Sequence, residues 1–166
     1  MKKVLRVSGL ALPVMILFAP MASAQSVTFG LGYSDFSNEI SRDTATVDLE
    51  YHHTPFYEGE VASYSWGGNA RITGASDFFV GAGIVANWSL ANDWFIEGSL
   101  MPGYYDEDMP VNQLGGHFFF RSLIGVGKRF ESGNSMSLGL SHISNASIRD
   151  FNPGVNTLSL RYTVAF

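Results

Sequence analysis

The nine residues Leu158-Ser159-Leu160-Arg161-Tyr162-Thr163-Val164-Ala165-Phe166 decide the fold. Leu158, Leu160, Tyr162, Val164 and Phe166 alternate with Ser159, Arg161 and Thr163, a period of two that belongs to a β-strand with one apolar and one polar face. The same alternation recurs upstream. Val27, Phe29, Leu31 and Tyr33 alternate with Thr28, Gly30, Gly32 and Ser34, and Val47, Leu49 and Tyr51 alternate with Asp48, Glu50 and His52. Further runs centre on Trp66, Ile84, Ile96, Ile124 and Leu138, so eight strands are expected, each about as long as the 9–11 residues that a tilted strand needs to cross a bilayer.

Which face is the inside follows from its composition. The polar face is rich in glycine and small residues and carries both signs of charge, in Asp48, Glu50, Glu97, Arg71, Arg121 and Arg161. Such a face suits the crowded interior of a small closed barrel, with the apolar face turned to lipid. A secreted β-sandwich, with the apolar face as its core, is the alternative. Phe166, closing an alternating strand at the chain's end, resembles the C-terminal assembly signal of bacterial outer-membrane barrels and favours the barrel. The expected fold is therefore all-β, an eight-stranded antiparallel transmembrane β-barrel in the bacterial outer membrane.

Ahead of the first strand, Lys2, Lys3 and Arg6 precede the apolar run Leu10 to Met21, and Ala22-Ser23-Ala24 follows. A basic n-region, an h-region and an A-x-A site predict a secretory signal peptide over residues 1–24 and a barrel domain over residues 25–166. Removing the signal, which holds three of the ten basic residues and no acid, leaves seven basic against fifteen acidic residues, a net charge of −8. That balance argues against a nucleic-acid partner. There is no cysteine, hence no disulfide and no thiolate metal site, and the four histidines lack metal-ligand spacing, so no metal is expected. A homodimer is compatible with the sequence, which does not decide the oligomeric state.

Aromatic residues mark the two membrane interfaces. Trp88, Trp94, Phe130 and Phe166 fall on the periplasmic side, and Tyr33, Tyr104, Tyr105 and Phe151 near the opposite rim. Pro102 cannot donate to a ladder and predicts a bulge or local break in the fifth strand. The outward connections are expected at about 36–44, 73–77, 106–116 and 145–155, with a moderately long periplasmic one at 57–62. Asp48, Glu50, His52, His117 and Arg121 are read as an interior structural network, and the filled interior leaves no solute channel.

The seventh strand carries the candidate chemistry. In Leu140-Ser141-His142-Ile143-Ser144-Asn145-Ala146, His142 and Ser144 share the lipid-facing parity of Met136, Leu138 and Leu140 at the strand's extracellular end. A serine hydroxyl becomes a nucleophile when a neighbouring imidazole takes its proton, and the imidazole works best when a third group fixes its tautomer. A rim histidine is by itself more often an interfacial side chain than a base.

The segment His142-Ile143-Ser144-Asn145-Ala146, followed by Asn152-Pro153-Gly154 and the final strand, resembles the lipid A 3-O-deacylase family (PagL and related acyloxyacyl-hydrolase-like proteins). The match in motif covers about the last 27 residues. The resemblance implies an outer-membrane esterase that hydrolyses the 3-O-linked acyl chain of lipid A in lipopolysaccharide at the lipid-facing outer rim, without a cofactor. It implies Ser144 as nucleophile, His142 as general base and Asn145 in the oxyanion-stabilising region. The family pattern has a glutamate 14 residues after the histidine, where this chain has Asn156; parity places Asn156 outward beside His142. Asp150 is a second candidate for that post, although a solvated loop acid is its commoner reading. The family commonly shows a glycine where this chain has Ser147. A non-catalytic structural or adhesion barrel, and an acyltransferase, are the competing functions.

Overall fold

The computed structural model describes residues 25–37 and 39–166; the expected signal peptide lies outside the described residues. Eight strands form the barrel: β1 (Ser26–Phe36), β2 (Thr44–His52), β3 (Ala62–Thr73), β4 (Phe78–Ser89), β5 (Trp94–Asp106), β6 (Phe118–Arg129), β7 (Ser135–Ser144) and β8 (Val155–Ala165). Every neighbouring pair is antiparallel, and β1 pairs with both β2 and β8 while β2 pairs with β3, so the sheet closes on itself. Closure removes the free edges that an open sheet would leave. A two-residue ribbon, Tyr57–Glu58, within the longer periplasmic connection folds back on β3.

The pleat turns the alternating pattern into an inverted protein. Leu31, on the outward face, is 68% exposed, and Glu50, on the inward face, is 1% exposed. Inside, charges pair around the waist. Arg71 donates to Asp48 from Nε at 3.0 Å and from Nη2 at 3.2 Å, Arg121 reaches Glu50 at 3.0 Å, and Arg161 bridges Glu50 and Glu97. Asn69 donates to both Asp48 and Glu50. Burying a charge is tolerable only when it is paired, and here a single belt pairs the charges, although Arg121 Nε and Nη1 find no hydrogen-bond partner among the described residues.

The upper interior is different. Phe36, Phe79, Tyr105, Leu114, Phe119, Ile143 and Val155 form an apolar cluster beneath the outer mouth. Leu114 belongs to the connection after β5, which folds across the mouth through the short 3-10 turn Pro110–Asn112. Asn112 fastens it: its Nδ2 donates to the buried Asp77 at 2.7 Å, and its carbonyl accepts from Tyr105 Oη at 3.0 Å. Tyr105 is therefore a plug residue and not part of the outer aromatic girdle, because it stands on the inward parity of β5. Tyr33, Tyr104 and Phe151 are exposed as expected, as are Trp94, Phe130 and Phe166 on the other side. His117 also departs from expectation. It precedes β6, lies exposed on the rim, stacks on Tyr104 at 5.2 Å and approaches Asp106 at 3.3 Å.

Pro102 has the effect its missing N–H predicts. The β4–β5 ladder is interrupted between the pairs Gly81–Gly103 and Ile84–Leu100, while the register is the same on both sides of the gap, so this is a break without a bulge. On its other edge β5 keeps its pairing with β6 throughout, including Pro102 opposite Phe120.

Candidate active site

The site grows out of strand register. β7 and β8 pair so that His142 lies directly opposite Asn156, and both point outward. On the other edge of β7, β6 places Ser122 opposite His142 and Phe120 opposite Ser144. Ser144 is thus two residues up the same face from His142, at the end of the strand.

The imidazole is held from two sides. His142 Nδ1 lies 2.9 Å from Asn156 Oδ1. An amide oxygen only accepts, so Nδ1 carries the proton, and in the neutral ring Nε2 keeps its lone pair. Gly154 packs on the opposite edge of the ring: a methyl group added there would stand 2.8 Å from Cε1 and 3.3 Å from Nε2. Gly154 also has a φ of +69°, which a residue with a side chain seldom adopts. The sequence offered only a Pro-Gly dipeptide ahead of a strand as a sign of this position. Asp150 is exposed in the connecting loop and makes no hydrogen bond to His142. Of the two candidates for the orienting post, Asn156 is the one in contact.

Immediately after Ser144 the chain reverses. Ala146 (φ +52°) and Ser147 (φ +61°) are both left-handed, and the Ile148 N–H donates to the Asn145 carbonyl at 3.0 Å, the signature of a type I′ turn. Asn145 anchors this turn. Its backbone N–H donates to Asn152 Oδ1 at 2.9 Å, and its buried side-chain amide donates to the carbonyls of Phe151 at 2.9 Å and Leu114 at 3.4 Å. Both kinds of donor that could have faced an oxyanion are engaged. The N–H groups of Ala146 and Ser147 have no partner among the described residues. Their place next to Ser144 was not visible from residue types, since neither is a glycine.

Below His142, on the same outer face, runs a wholly apolar groove of about 320 Å³ lined by Ile124, Val126, Leu138, Leu140 and Leu158, with Ile96 at its far side. Gly125 and Gly139, paired across β6 and β7, give only backbone to its floor; a methyl group added to either would point inward, toward Arg161. Among the described residues, two groups of side chains elsewhere each bring three metal-ligating atoms together. Glu50, His52 and Glu97 do so in the interior, where Arg121 and Arg161 already neutralise the carboxylates, and Asp106, Glu107 and His117 do so on the rim. Neither group touches His142 or Ser144.

Comparison with known proteins places the chain as a whole. Residues 44–165 match the family model described as lipid A 3-O-deacylase (PagL). The lipid A deacylase PagL of Bordetella bronchiseptica is 29% identical over 155 residues, covering 89% of this chain and 85% of its own. The crystal structure of the outer-membrane enzyme PagL superposes with a TM-score of 0.66 at 21% identity, over 85% of this chain and 99% of that one. Neisserial surface protein A superposes at 0.55 with 9% identity, over 86% of this chain and 96% of its own, a likeness of fold alone. The closed barrel is common to several outer-membrane proteins, but the match to the family model spans most of the sequence, and the chain belongs to the lipid A 3-O-deacylase (PagL) family.

Proposed function

We propose that this outer-membrane barrel is an ester hydrolase that removes the 3-O-linked acyl chain of lipid A by a serine mechanism. The observation that carries this reading is the His142–Asn156 hydrogen bond on the lipid-facing side of the barrel, with Ser144 beside it and the apolar groove beneath. A nucleophile at the level where acyl chains meet sugar, above a groove that can receive a chain, suits an ester whose acid half is buried in the membrane and whose alcohol half is in the headgroup.

The chemistry follows from the tautomer. His142 Nε2 takes the Ser144 proton as Oγ attacks the ester carbonyl carbon. The imidazolium then donates from Nδ1 to Asn156 Oδ1, which keeps the ring in plane without adding a negative charge. As the tetrahedral intermediate collapses, the C–O bond to the sugar breaks and His142 returns the proton to the departing sugar oxygen. Water, activated by the same nitrogen, hydrolyses the acyl-serine and frees the fatty acid. The oxyanion requires donors aimed at its developing charge. In this reading Asn145 supplies the region and not the bond: it pins the turn, and the Ala146 and Ser147 N–H groups meet the oxygen. Ser144 Oγ makes no hydrogen bond among the described residues, which accords with catalytic contacts that tighten only around substrate.

The test is to incubate refolded protein with lipopolysaccharide and weigh the lipid A by mass spectrometry. Loss of one 3-hydroxyacyl chain, with free fatty acid released, is expected from the wild type. Ser144→Ala should fold normally and lose at least about 10⁴-fold in rate. An acylated acceptor without free fatty acid would instead mark a transferase, and unchanged lipid A from folded wild-type protein would mark a structural barrel.

A further inference from the structure

The outer rim is acidic. From Asp35 to Asp150 the outward connections and their strand ends hold eight carboxylates against two guanidinium groups, Arg42 and Arg149. Despite that excess, Arg149 forms no ion pair and no hydrogen bond among the described residues. Its side chain is nevertheless seated. It lies across Gly116, where an added methyl group would come within 2.8 Å of Nε and 3.2 Å of Cδ. The neighbouring Gly115 makes the same allowance for the Phe151 carbonyl, with which a side chain there would collide. Both glycines have positive φ, +91° and +144°, so the pair forms a bed on which the connection carrying Arg149 rests. An unpaired cation, held in place and exposed, is an arrangement that awaits an anion.

Its position indicates which anion. Arg149 follows the reverse turn after Ser144 and is five residues beyond the nucleophile. Gly116 precedes β6 by two residues, and the Phe120 of β6 stands opposite Ser144, so the guanidinium lies on the water side of the nucleophile and one strand over. Lipid A carries its acyl esters on a glucosamine disaccharide whose phosphates face water. A molecule that presents an ester to Ser144 therefore brings phosphate toward this side of the rim, where every carboxylate repels it.

We infer that Arg149 binds a phosphate group of the substrate and makes the protein prefer phosphorylated to dephosphorylated lipid A. The inference rests on the deacylase reading, and the experiment separates the two. KM and kcat are measured on lipid A and on the same lipid A after dephosphorylation, for the wild type and for Arg149→Ala, Arg149→Lys and Arg42→Ala. Arg149→Ala should raise KM on phosphorylated lipid A about tenfold, the usual worth of one charge-assisted bond, with little change in kcat. The wild type's preference between the two lipids should collapse, and Arg149→Lys should restore part of it. Equal losses on both lipids would make Arg149 a prop for the turn, and an equal effect of Arg42→Ala would reduce it to bulk charge; either overturns the inference. A second arm measures binding of both lipids in mixed micelles to Ser144→Ala protein with and without Arg149→Ala. If the wild type does not deacylate, the function fails but this arm still decides: binding that favours phosphate only with Arg149 present supports the site, and indifference to phosphate overturns it.

Discussion

Two adjacent rungs of the β7–β8 ladder make opposite uses of the same register. On the outer side, His142 faces Asn156 and the pair shares one neutral hydrogen bond of 2.9 Å. On the inner side, Ser141 faces Thr157, and Arg71 reaches across from β3 to donate to both hydroxyls at 2.8 Å while gripping Asp48. The inner rung has no freedom: each polar atom is buried against a charge and cannot move without stranding another. The outer rung holds no carboxylate or guanidinium, faces lipid on one side and leaves a ring nitrogen without a hydrogen bond among the described residues. Stability is invested on the inside, and the outside can then be tuned without threatening the barrel.

That division can be broken from the inside first. Arg71→Met takes the guanidinium from the Asp48 carboxylate, leaving it the Asn69 amide and the more distant Arg121, and should cost about 3–5 kcal/mol of folding stability. Urea unfolding of the refolded protein would read the loss, while the folded fraction keeps its kcat; a stable variant would mean that the belt is not what holds this ladder. The outer rung should respond in the reverse way. Asn156→Ala, which frees the ring's tautomer, should lower kcat by about 10–100-fold with an unchanged unfolding midpoint. Asn156→Glu supplies the charge that an imidazolium prefers and should raise kcat by up to about tenfold. If Asn156→Ala unfolds the protein instead, the two rungs are not separable. The smallest effect sharpens the boundary between them. Ser147→Gly removes a side chain from a left-handed position and should add about 0.5–1 kcal/mol, read as a modest shift in the same unfolding curve.

Much of this was legible in the order of residues. A period of two states which way a side chain points, so the strands, their two faces, the outward connections and the placing of Asn156 beside His142 could all be read before any coordinates. The same code says nothing about depth along the barrel. Phe79, Phe119, Ile143 and Val155 share the inward parity with Asp48 and Arg71, yet form an apolar plug, because the distinction between belt and plug depends on which residues meet across strands. Tyr105 departs from the expected girdle for a different reason, its inward parity on β5, and His117 from the expected interior because the strand begins just after it. The left-handed pair Ala146-Ser147 was hidden for another: residue type announces such a turn when it is glycine or asparagine, and here the Asn145 side chain holds the turn from below.

The outward aim of His142 and Ser144 also changes what concentration means for this protein. On the proposed mechanism the pair looks into the lipid film, and the barrel wall meets its substrate edge-on, by drift within the leaflet. Encounter frequency is then a matter of surface density, the mole fraction of lipid A in the film around the barrel, and diluting that film with inert detergent slows the reaction even when the amount of lipid A per millilitre is constant. On that reading an outer leaflet packed with lipopolysaccharide is a solvent made of substrate, in which every neighbour of the wall is a candidate for the next encounter.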